Sequence, residues 1–491
     1  MNSAAWPNVP AALDDGQRVW STAELRAAAQ EFAEVLGGAR VRVLATLLDN
    51  SVAWVVTDLA ASLAGVVHVP LPVFFTPEQI AHALHAAGAD ALLVAQAAAR
   101  QWPRAPRGPH AIAGEPLSLL RLAAAPVAMP TGTSKITFTS GTTGAPKGVC
   151  LRASGLDSVA VGLVRALAPL QIRRHLCVLP FAVLLEDIAG LRAPLLNGTT
   201  CVVAPLAQLG LTGSSSFEPS RFHAALLRLA PDSIILLPEM LRMWVAYLAA
   251  TRQRAPAGLK FVAVGGASVG TRLIAAARAL GIPAYEGYGL SEAGSVQTLN
   301  LPGADRPGSA GRALPHARLR IGEGGEIEVA GSLLAGYLGE APVAREWWPT
   351  GDLGTIDAQG FLHVQGRRKN VLITSFGRNV SPEWVEGALQ DQDGIGVAVV
   401  YGDAQPALGA VLWPARPGVS DAALQSAVDA ANARLPDYAR VLRWTRAARP
   451  FDAASGMATG NGRPRRDAIL AAHAAALAEP ASSDHEPTES P

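Results

Sequence analysis

An α/β fold is predicted, with a large layered N-terminal domain of mostly parallel sheets and a small α+β C-terminal domain. Three observations carry this expectation. Helix and strand signals alternate through the first 130 residues, the pattern of parallel strands joined by helical crossovers. An apolar strand, Ile136-Thr137-Phe138, runs straight into a loop of glycines, hydroxyls and one lysine, Thr139 to Gly148. Near Gly366 the composition shifts to a compact pattern with its own helix and strands. At 491 residues the chain also exceeds what one simple domain usually holds.

Taken in order, Ser21 with Glu24 forms a capping box ahead of an Ala/Leu helix that stops at Gly37-Gly38. A strand is expected over Val41 to Leu48, a helix over Ala53 to Leu63 and a short buried strand over Val66 to Val69. Thr76-Pro77-Glu78-Gln79 opens a further helix, with an N-cap, proline in the first turn and a reciprocal glutamine. The polar segment Thr212 to Ser220 interrupts the alternation and reads as a surface loop. The domains are expected at 1–367 and 368–475. In the second, a helix starts at Ser381-Pro382-Glu383, and strands cover Val397 to Tyr401 and Ala410 to Trp413. Residues 476–491, rich in Pro, Ser and Glu, are expected to be a disordered tail.

With 41 basic and 40 acidic residues, nothing in the charge balance points to nucleic acid or an anionic membrane. Three unevenly spaced cysteines, Cys150, Cys177 and Cys201, indicate neither a disulfide framework nor a zinc site, and fit a reducing cytoplasm. Met1 to Asp15 lacks the basic and apolar regions of a signal peptide. The longest apolar stretch, Val52 to Leu71, is interrupted by Asp58 and His68, so it reads as a buried helix and strand rather than a membrane span. Only Lys135, Lys147, Lys260 and Lys369 supply lysine; every other basic residue is arginine.

The loop Thr139-Ser140-Gly141-Thr142-Thr143-Gly144-Ala145-Pro146-Lys147-Gly148 has the chemistry of a polyphosphate wrap. Glycines let backbone N–H groups approach phosphate oxygens, hydroxyls add donors and Lys147 adds a point charge. It is not a Walker A loop, which would need glycine at Pro146 and Ser or Thr at Gly148. Downstream, the strand Phe261 to Val264 runs into Gly265-Gly266-Ala267, a turn that offers bare backbone to a planar ring. Glu286-Gly287-Tyr288-Gly289-Leu290-Ser291-Glu292 sets an aromatic, a hydroxyl and a carboxylate on one glycine-flanked loop. Thr350-Gly351-Asp352-Leu353 would alone be an ordinary turn.

In this order, over roughly 330 residues, these segments resemble the adenylate-forming (AMP-binding) superfamily of acyl-CoA synthetases, luciferases and peptide-synthetase adenylation domains. The joint Gly366-Arg367-Arg368-Lys369-Asn370, followed by Thr374 to Val380, is most similar to fatty acyl-CoA synthetases. The resemblance implies an acid–thiol ligase using ATP, Mg²⁺ and coenzyme A. Thr139, Ser140, Gly141, Thr142, Thr143, Gly144 and Lys147 would hold polyphosphate. Gly265, Gly266 and Ala267 would border adenine, with Tyr288 stacked on it beside Gly289. Ser291 would reach a phosphate oxygen and Glu292 would hold the metal. Asp352 would bind the ribose, Arg367 would contact the nucleotide, and Lys369 would be the hinge of a mobile C-terminal domain. Ser375 to Arg378 would line the pantetheine route. Segments Gly325 to Val329 and Gly336-Tyr337-Leu338 also resemble the family and read as scaffold.

Two positions depart from the family pattern. The catalytic lysine of the superfamily falls at Arg463, in Ala458-Thr459-Gly460-Asn461-Gly462-Arg463. Arginine keeps the charge on a bulkier planar fork. Three readings stay open: Arg463 does the lysine's work, the register of this glycine-rich loop is shifted, or adenylation is impaired and a nucleotide-binding or thioester-forming protein remains. At Leu179-Pro180-Phe181-Ala182-Val183, Val183 stands where the family has histidine, and Ala182 stands where peptide-synthetase domains hold an ammonium with aspartate. An amino-acid substrate is therefore not expected. Apolar Val183, Leu184, Leu185, Leu236, Met240 and Met243 suit an aliphatic or aromatic acid, or serve as core. The alternative thiol is the phosphopantetheine of an acyl carrier protein.

Overall fold

In the computed structural model the described residues are 12–102, 107–139, 147–213, 216–267, 269–375, 378–452, 455–459 and 463–478. Two sheets built from short apolar strands form the N-terminal part. One runs in the order Gly336–Tyr337, Lys147–Arg152, Thr133–Thr139, Val67–Pro70, Val43–Leu47, Ala91–Ala95, Glu115–Arg121 and Arg107–Ile112. Its centre is parallel and its flanks are antiparallel. The second is nine-stranded, with a parallel run through Ala12–Asp14, Thr200–Val202, Arg174–Leu176, Ser233–Leu236, Phe261–Val264 and Ala284–Leu290. Strand–helix alternation over the first 130 residues thus becomes parallel sheet, as expected.

Helix boundaries follow local chemistry. Thr22–Gly38 begins with the Ser21/Glu24 capping box and Pro77–Ala87 with the Thr76/Gln79 box. Val52–Ala64 starts from a Ser51 side-chain cap and ends at Gly65 in the left-handed conformation, φ 67°. Thr212 to Ser220 departs from the loop expectation. Leu211–Thr212 pairs with Ser216–Phe217, and Pro219–Leu229 is already helical. Buried Phe217, tilted against Phe222 at 5.2 Å, is the apolar anchor that a polarity count over the segment hides.

Contacts divide the chain into two compact units. The first comprises 1–269, 273–350 and 355–363; the second comprises 270–272, 351–354 and 364–491. Within the second, Ile395–Tyr401, Leu408–Pro414 and Val441–Arg446 form a three-stranded sheet, and Pro382–Gln390 and Asp421–Asn432 are its helices. Val385, Leu389, Val400, Leu412, Leu424 and Val428 make its core. The helix Ala474–Ala478 reaches into the expected tail, and 479–491 lie outside the described residues. One helical stretch, Ala153–Leu170, is long and apolar enough by composition to cross a membrane, with a mean hydropathy of 1.3. Its Leu156, Val159, Ala160 and Leu163 nevertheless join an internal cluster with Val149, Leu184 and Ile188.

The two polar residues that interrupt Val52–Leu71 turn out to bond each other. His68 Nδ1 lies 2.6 Å from Asp58 Oδ1, and His68 Nε2 lies 2.9 Å from Thr46 Oγ1. Lys135, 3% exposed, ion-pairs with Asp58 at 2.8 Å and also with buried Asp187. Its Nζ lies 5.5 Å from the Trp54 ring. Burial alone would raise the Asp58 pKa; the charges of Lys135 and His68 override it and hold the carboxyl well below the usual range. Removing the cation would leave two buried carboxylates opposed. Lys135→Met is therefore expected to lower stability by about 3–5 kcal/mol, read as a shift of the chemical-denaturation midpoint of the full chain.

Glu286 on Ala284–Leu290 shows the opposite behaviour. It accepts one N–H, from Val269 at 3.3 Å, and desolvation pushes its pKa up to about 7 from 4.5. Because the folded pKa is the higher one, the native state holds its proton. The group does no harm below pH 4.5 and costs stability progressively as pH rises through 7. In Glu286→Gln, stability relative to wild type should gain about 2.5 kcal/mol between pH 5 and pH 8, at about 1.4 kcal/mol per unit up to pH 7 and levelling off above it. Paired denaturation curves at the two pH values test this.

Candidate active site

The stems of the glycine-rich loop are placed by an antiparallel hairpin. Thr133–Thr139 pairs with Lys147–Arg152 so that Thr139 and Lys147 face each other across the ladder. Ser140, Gly141, Thr142, Thr143, Gly144, Ala145 and Pro146 lie outside the described residues. The strand behind the loop is held by apolar Ile136 on the core side and by the buried Lys135 ion pairs. The loop's two ends are therefore neighbours on a stiff sheet.

Lys147 leads directly to the expected metal ligand through a residue that read as scaffold. Gly336–Tyr337 adds an edge strand beside Lys147–Arg152, pairing Tyr337 with Val149. The Lys147 ammonium stands 5.2 Å from the Tyr337 ring centroid and 3.5 Å from Glu340. The Tyr337 hydroxyl donates to Glu292 Oε1 at 2.9 Å. Its pKa is pushed up by desolvation and then by the Glu292 charge, so the phenol stays a donor. Glu292 sits in the short turn Ser291–Ala293, whose own backbone is pinned where Leu334 N–H donates to Glu292 O at 2.7 Å. A cleft of about 320 Å³ opens here, lined by His82, Phe138, Lys147, Tyr337, Leu338 and Glu340. Tyr337 reads as scaffold in the sequence because a Gly-Tyr-Leu run carries no chemistry until an edge strand brings its hydroxyl to a carboxylate.

The glycine turn after Phe261–Val264 combines a buried and an exposed glycine. Gly265 is buried, and Gly266 and Ala267 are exposed, with Gly266 at φ 88°, a conformation that disfavours a side chain. Tyr288 and Gly289 lie on Ala284–Leu290, and Tyr288 pairs in register with Thr298. The Tyr288 ring leans on the cluster of Ala293, Ala310, Ile327, Val329 and Leu362, which limits its rotation. Ser291 begins the Glu292 turn. Of the apolar residues tied to an acid pocket, Leu236 and Met240 are core, packed with Leu241 and Trp244. Leu184 is buried in another cluster, while Val183, Leu185 and Met243 are half-buried.

The remaining candidates fall in the second unit. Asp352, 5% exposed, lies on Trp348–Ile356 and accepts from Arg367 Nε at 2.7 Å. Arg463 joins them electrostatically. Desolvation and then the Arg367 charge pull its pKa below the usual arginine value, and Asp352 opposes them. Thr459 and Arg463 bond each other twice, with Thr459 N–H donating to Arg463 O at 2.8 Å and Arg463 N–H to Thr459 Oγ1 at 3.2 Å. Gly460, Asn461 and Gly462 lie outside the described residues. Lys369 is exposed on the short turn Arg368–Asn370, between the strands Leu362–Arg367 and Leu372–Ile373. Thr374 and Arg378 bond each other at the end of the antiparallel pair Leu372–Ile373 and Asn379–Val380, and Phe376 and Gly377 lie outside the described residues.

Comparison with known proteins adds the family. Residues 1–338 match the AMP-binding enzyme family and residues 369–479 match the AMP-binding enzyme C-terminal domain. Over 154 residues the chain is 38% identical to long-chain-fatty-acid–CoA ligase FadD15 of Mycobacterium bovis, a match covering 30% of this chain and 26% of that protein. The similarity thus spans about a quarter of that relative's length. To a feruloyl-CoA synthase of an Amycolatopsis species it is 29% identical over 434 residues, covering 82% of this chain and 84% of the other. Among solved structures, O-succinylbenzoate coenzyme A synthetase from Bacillus subtilis, in complex with ATP and magnesium ion, superposes with a TM-score of 0.74 at 24% identity over 95% of this chain and 97% of that one. That likeness speaks to the fold alone. On the family match, the chain belongs to the AMP-binding, adenylate-forming enzyme superfamily.

Proposed function

We propose that this protein activates a carboxylic acid with ATP and passes the acyl group to a thiol, coenzyme A in the first place. The acid's carboxylate attacks the α-phosphate, pyrophosphate leaves, and the thiol then displaces AMP from the acyl adenylate. The observation that carries the reading is the Lys147–Tyr337–Glu292 chain at the stem of the glycine-rich loop. One ammonium and one oriented carboxylate beside the loop's stem would suit a polyphosphate and its metal, which need both. Mg²⁺ accepts one or two protein carboxylates and fills its shell with phosphate and water, so Glu292 alone suits it; when bound, the ion neutralises charge on the phosphates. In the second unit, Asp352 would accept from the ribose hydroxyls with Arg367 beside it, and Arg463 would face the charge developing at phosphorus. Lys369, on its exposed turn, would serve as the hinge between the two half-reactions.

For the acid we favour a fatty or other apolar carboxylate. Ala182 and Val183 supply no carboxylate for a substrate ammonium, and unpaired it would be costly to bury. The long-chain-fatty-acid–CoA ligase and the feruloyl-CoA synthase named above are in keeping with an aliphatic or aromatic acid. Free, buried Cys150, Cys177 and Cys201 fit a cytoplasmic setting. A second reading, a nucleotide-binding protein with impaired adenylation, is favoured by Arg463 in the lysine position.

ATP–pyrophosphate exchange with short, medium, long and aromatic acids separates the two. Exchange by the wild type supports the ligase reading; exchange confined to Arg463→Lys supports the impaired one. Glu292→Gln should lower the exchange rate by about 10²-fold or more. Tyr337→Phe, which loses one hydrogen bond to a charged group, should cost about 10-fold to 100-fold, with an increased magnesium requirement in both variants.

A further inference from the structure

A second cluster of reactive side chains lies in the large unit, away from every residue used above. His175 and Cys177 sit two residues apart on and just after the strand Arg174–Leu176, and so share one face of the sheet. Cys201 on Thr200–Val202 is the direct cross-strand partner of His175, and Ser233 is its partner on the other side. Over this face lies Glu186–Arg192, a seven-residue π-helix. Such i→i+5 turns are rare and recur at functional sites. His175 is 4% exposed, and Cys177, Cys201 and Glu186 are 0% exposed. Ligand atoms of His175, Cys177 and Glu186 all lie within 4.8 Å of one another.

The two thiols donate to backbone carbonyls, Cys177 to Gly190 O at 3.4 Å and Cys201 to Leu191 O at 3.8 Å, which leaves one imidazole nitrogen of the cluster unanswered. His175 Nδ1 is 2.8 Å from Ser233 Oγ, which with Nδ1 as donor turns the Nε2 lone pair inward. Nε2 is buried and has no hydrogen-bond partner among the described residues. It faces Glu186 Oε1 at 3.7 Å, beyond a hydrogen bond. That distance is close to the edge of a coordination tetrahedron, about 3.4–3.6 Å for Zn–N, Zn–O and Zn–S bonds of about 2.0–2.3 Å. Glu186 is also oriented as metal-bound carboxylates are: Val178 N–H donates to Oε1 and Leu179 N–H to Oε2, each at 3.2 Å. Gly190 keeps the space open, since a Cβ there would stand 2.3 Å from Glu186 Oε1 and 3.1 Å from His175 Nε2.

We propose that His175 Nε2, Cys177 Sγ and a Glu186 carboxylate oxygen bind one zinc-class divalent cation. Mixed imidazole, thiolate and carboxylate donors select zinc or its neighbours over Mg²⁺ and Ca²⁺. Binding releases the Cys177 proton, and the thiolate and carboxylate then balance the charge of the ion. With every donor buried and drawn from the sheet and the π-helix over it, the centre is structural: it fastens Glu186–Arg192 to the sheet. It stands independently of the adenylation reading.

Metal content of the full-length protein, purified from zinc-supplemented cells and dialysed against chelator, tests this. About one zinc per chain is expected, with a sulfur scatterer at about 2.3 Å in X-ray absorption. Protein grown in cobalt should show a thiolate-to-metal charge-transfer band. His175→Gln and Cys177→Ser should lower the metal content at least about tenfold, while Cys150→Ser keeps it. The proposal is overturned by wild type that retains no stoichiometric metal, by bound metal without a sulfur neighbour, or by full retention in Cys177→Ser. Should the variants fail to fold, the wild-type stoichiometry and absorption spectrum decide alone.

Discussion

Lys135 between Asp58 and Asp187 is the interaction on which the large unit's candidate chemistry rests. It joins the helix Val52–Ala64, the strand Thr133–Thr139 and the π-helix Glu186–Arg192 at a point with almost no solvent. Buried ion pairs seldom add net stability over an apolar core, because desolvation offsets much of the attraction. What they do enforce is register. A one-residue slip of Thr133–Thr139 would turn Lys135 to the other face and take its charge away from both carboxylates. The strand that presents Thr139 and, through its hairpin, Lys147 is thereby locked against sliding.

From that strand the polar chain continues outward to Lys147, Tyr337 and Glu292. Each group has a protein partner that keeps it oriented: a ring face for the ammonium, a phenol for the carboxylate, and Arg367 for Asp352 in the second unit. Sites held this way lose little freedom when a ligand arrives, so more of the binding energy is left for the reaction. Arg463 differs from a lysine in more than bulk. A guanidinium stays charged even beside Arg367, whereas an ammonium shifts its pKa readily when crowded.

The π-helix does two things at once. Its first residue, Glu186, turns toward His175 and the thiols, while the next, Asp187, turns toward Lys135. Adjacent acidic residues in the buried first turn of a helix would ordinarily repel and pay heavily for desolvation. Here successive helix positions, about 100° apart, point them to separate positive or proton-donating partners. The same irregularity therefore links the ion-pair register of the loop strand to the proposed cation centre.

Capping boxes, the glycine-rich loop, the aromatic-to-carboxylate box and the two-part organisation were legible in the chain itself, because each rests on residues within a few positions of one another. Ser21 needs only Glu24 to start a helix, and Phe138 needs only the glycines after it to end a strand. The partnership of Asp58 with Lys135, Tyr337 with Glu292, and Asp352 with Arg367 and Arg463 was not legible. Nor was the meeting of His175, Cys177, Cys201 and Glu186, which as a spacing pattern pointed away from a metal. Apart from His175 and Cys177, those partners are separated by many residues, and only sheet order and register bring them within reach. Local propensity and short motifs decided which elements form and which chemistry they carry. The burial of particular side chains against particular neighbours decided which of those groups meet.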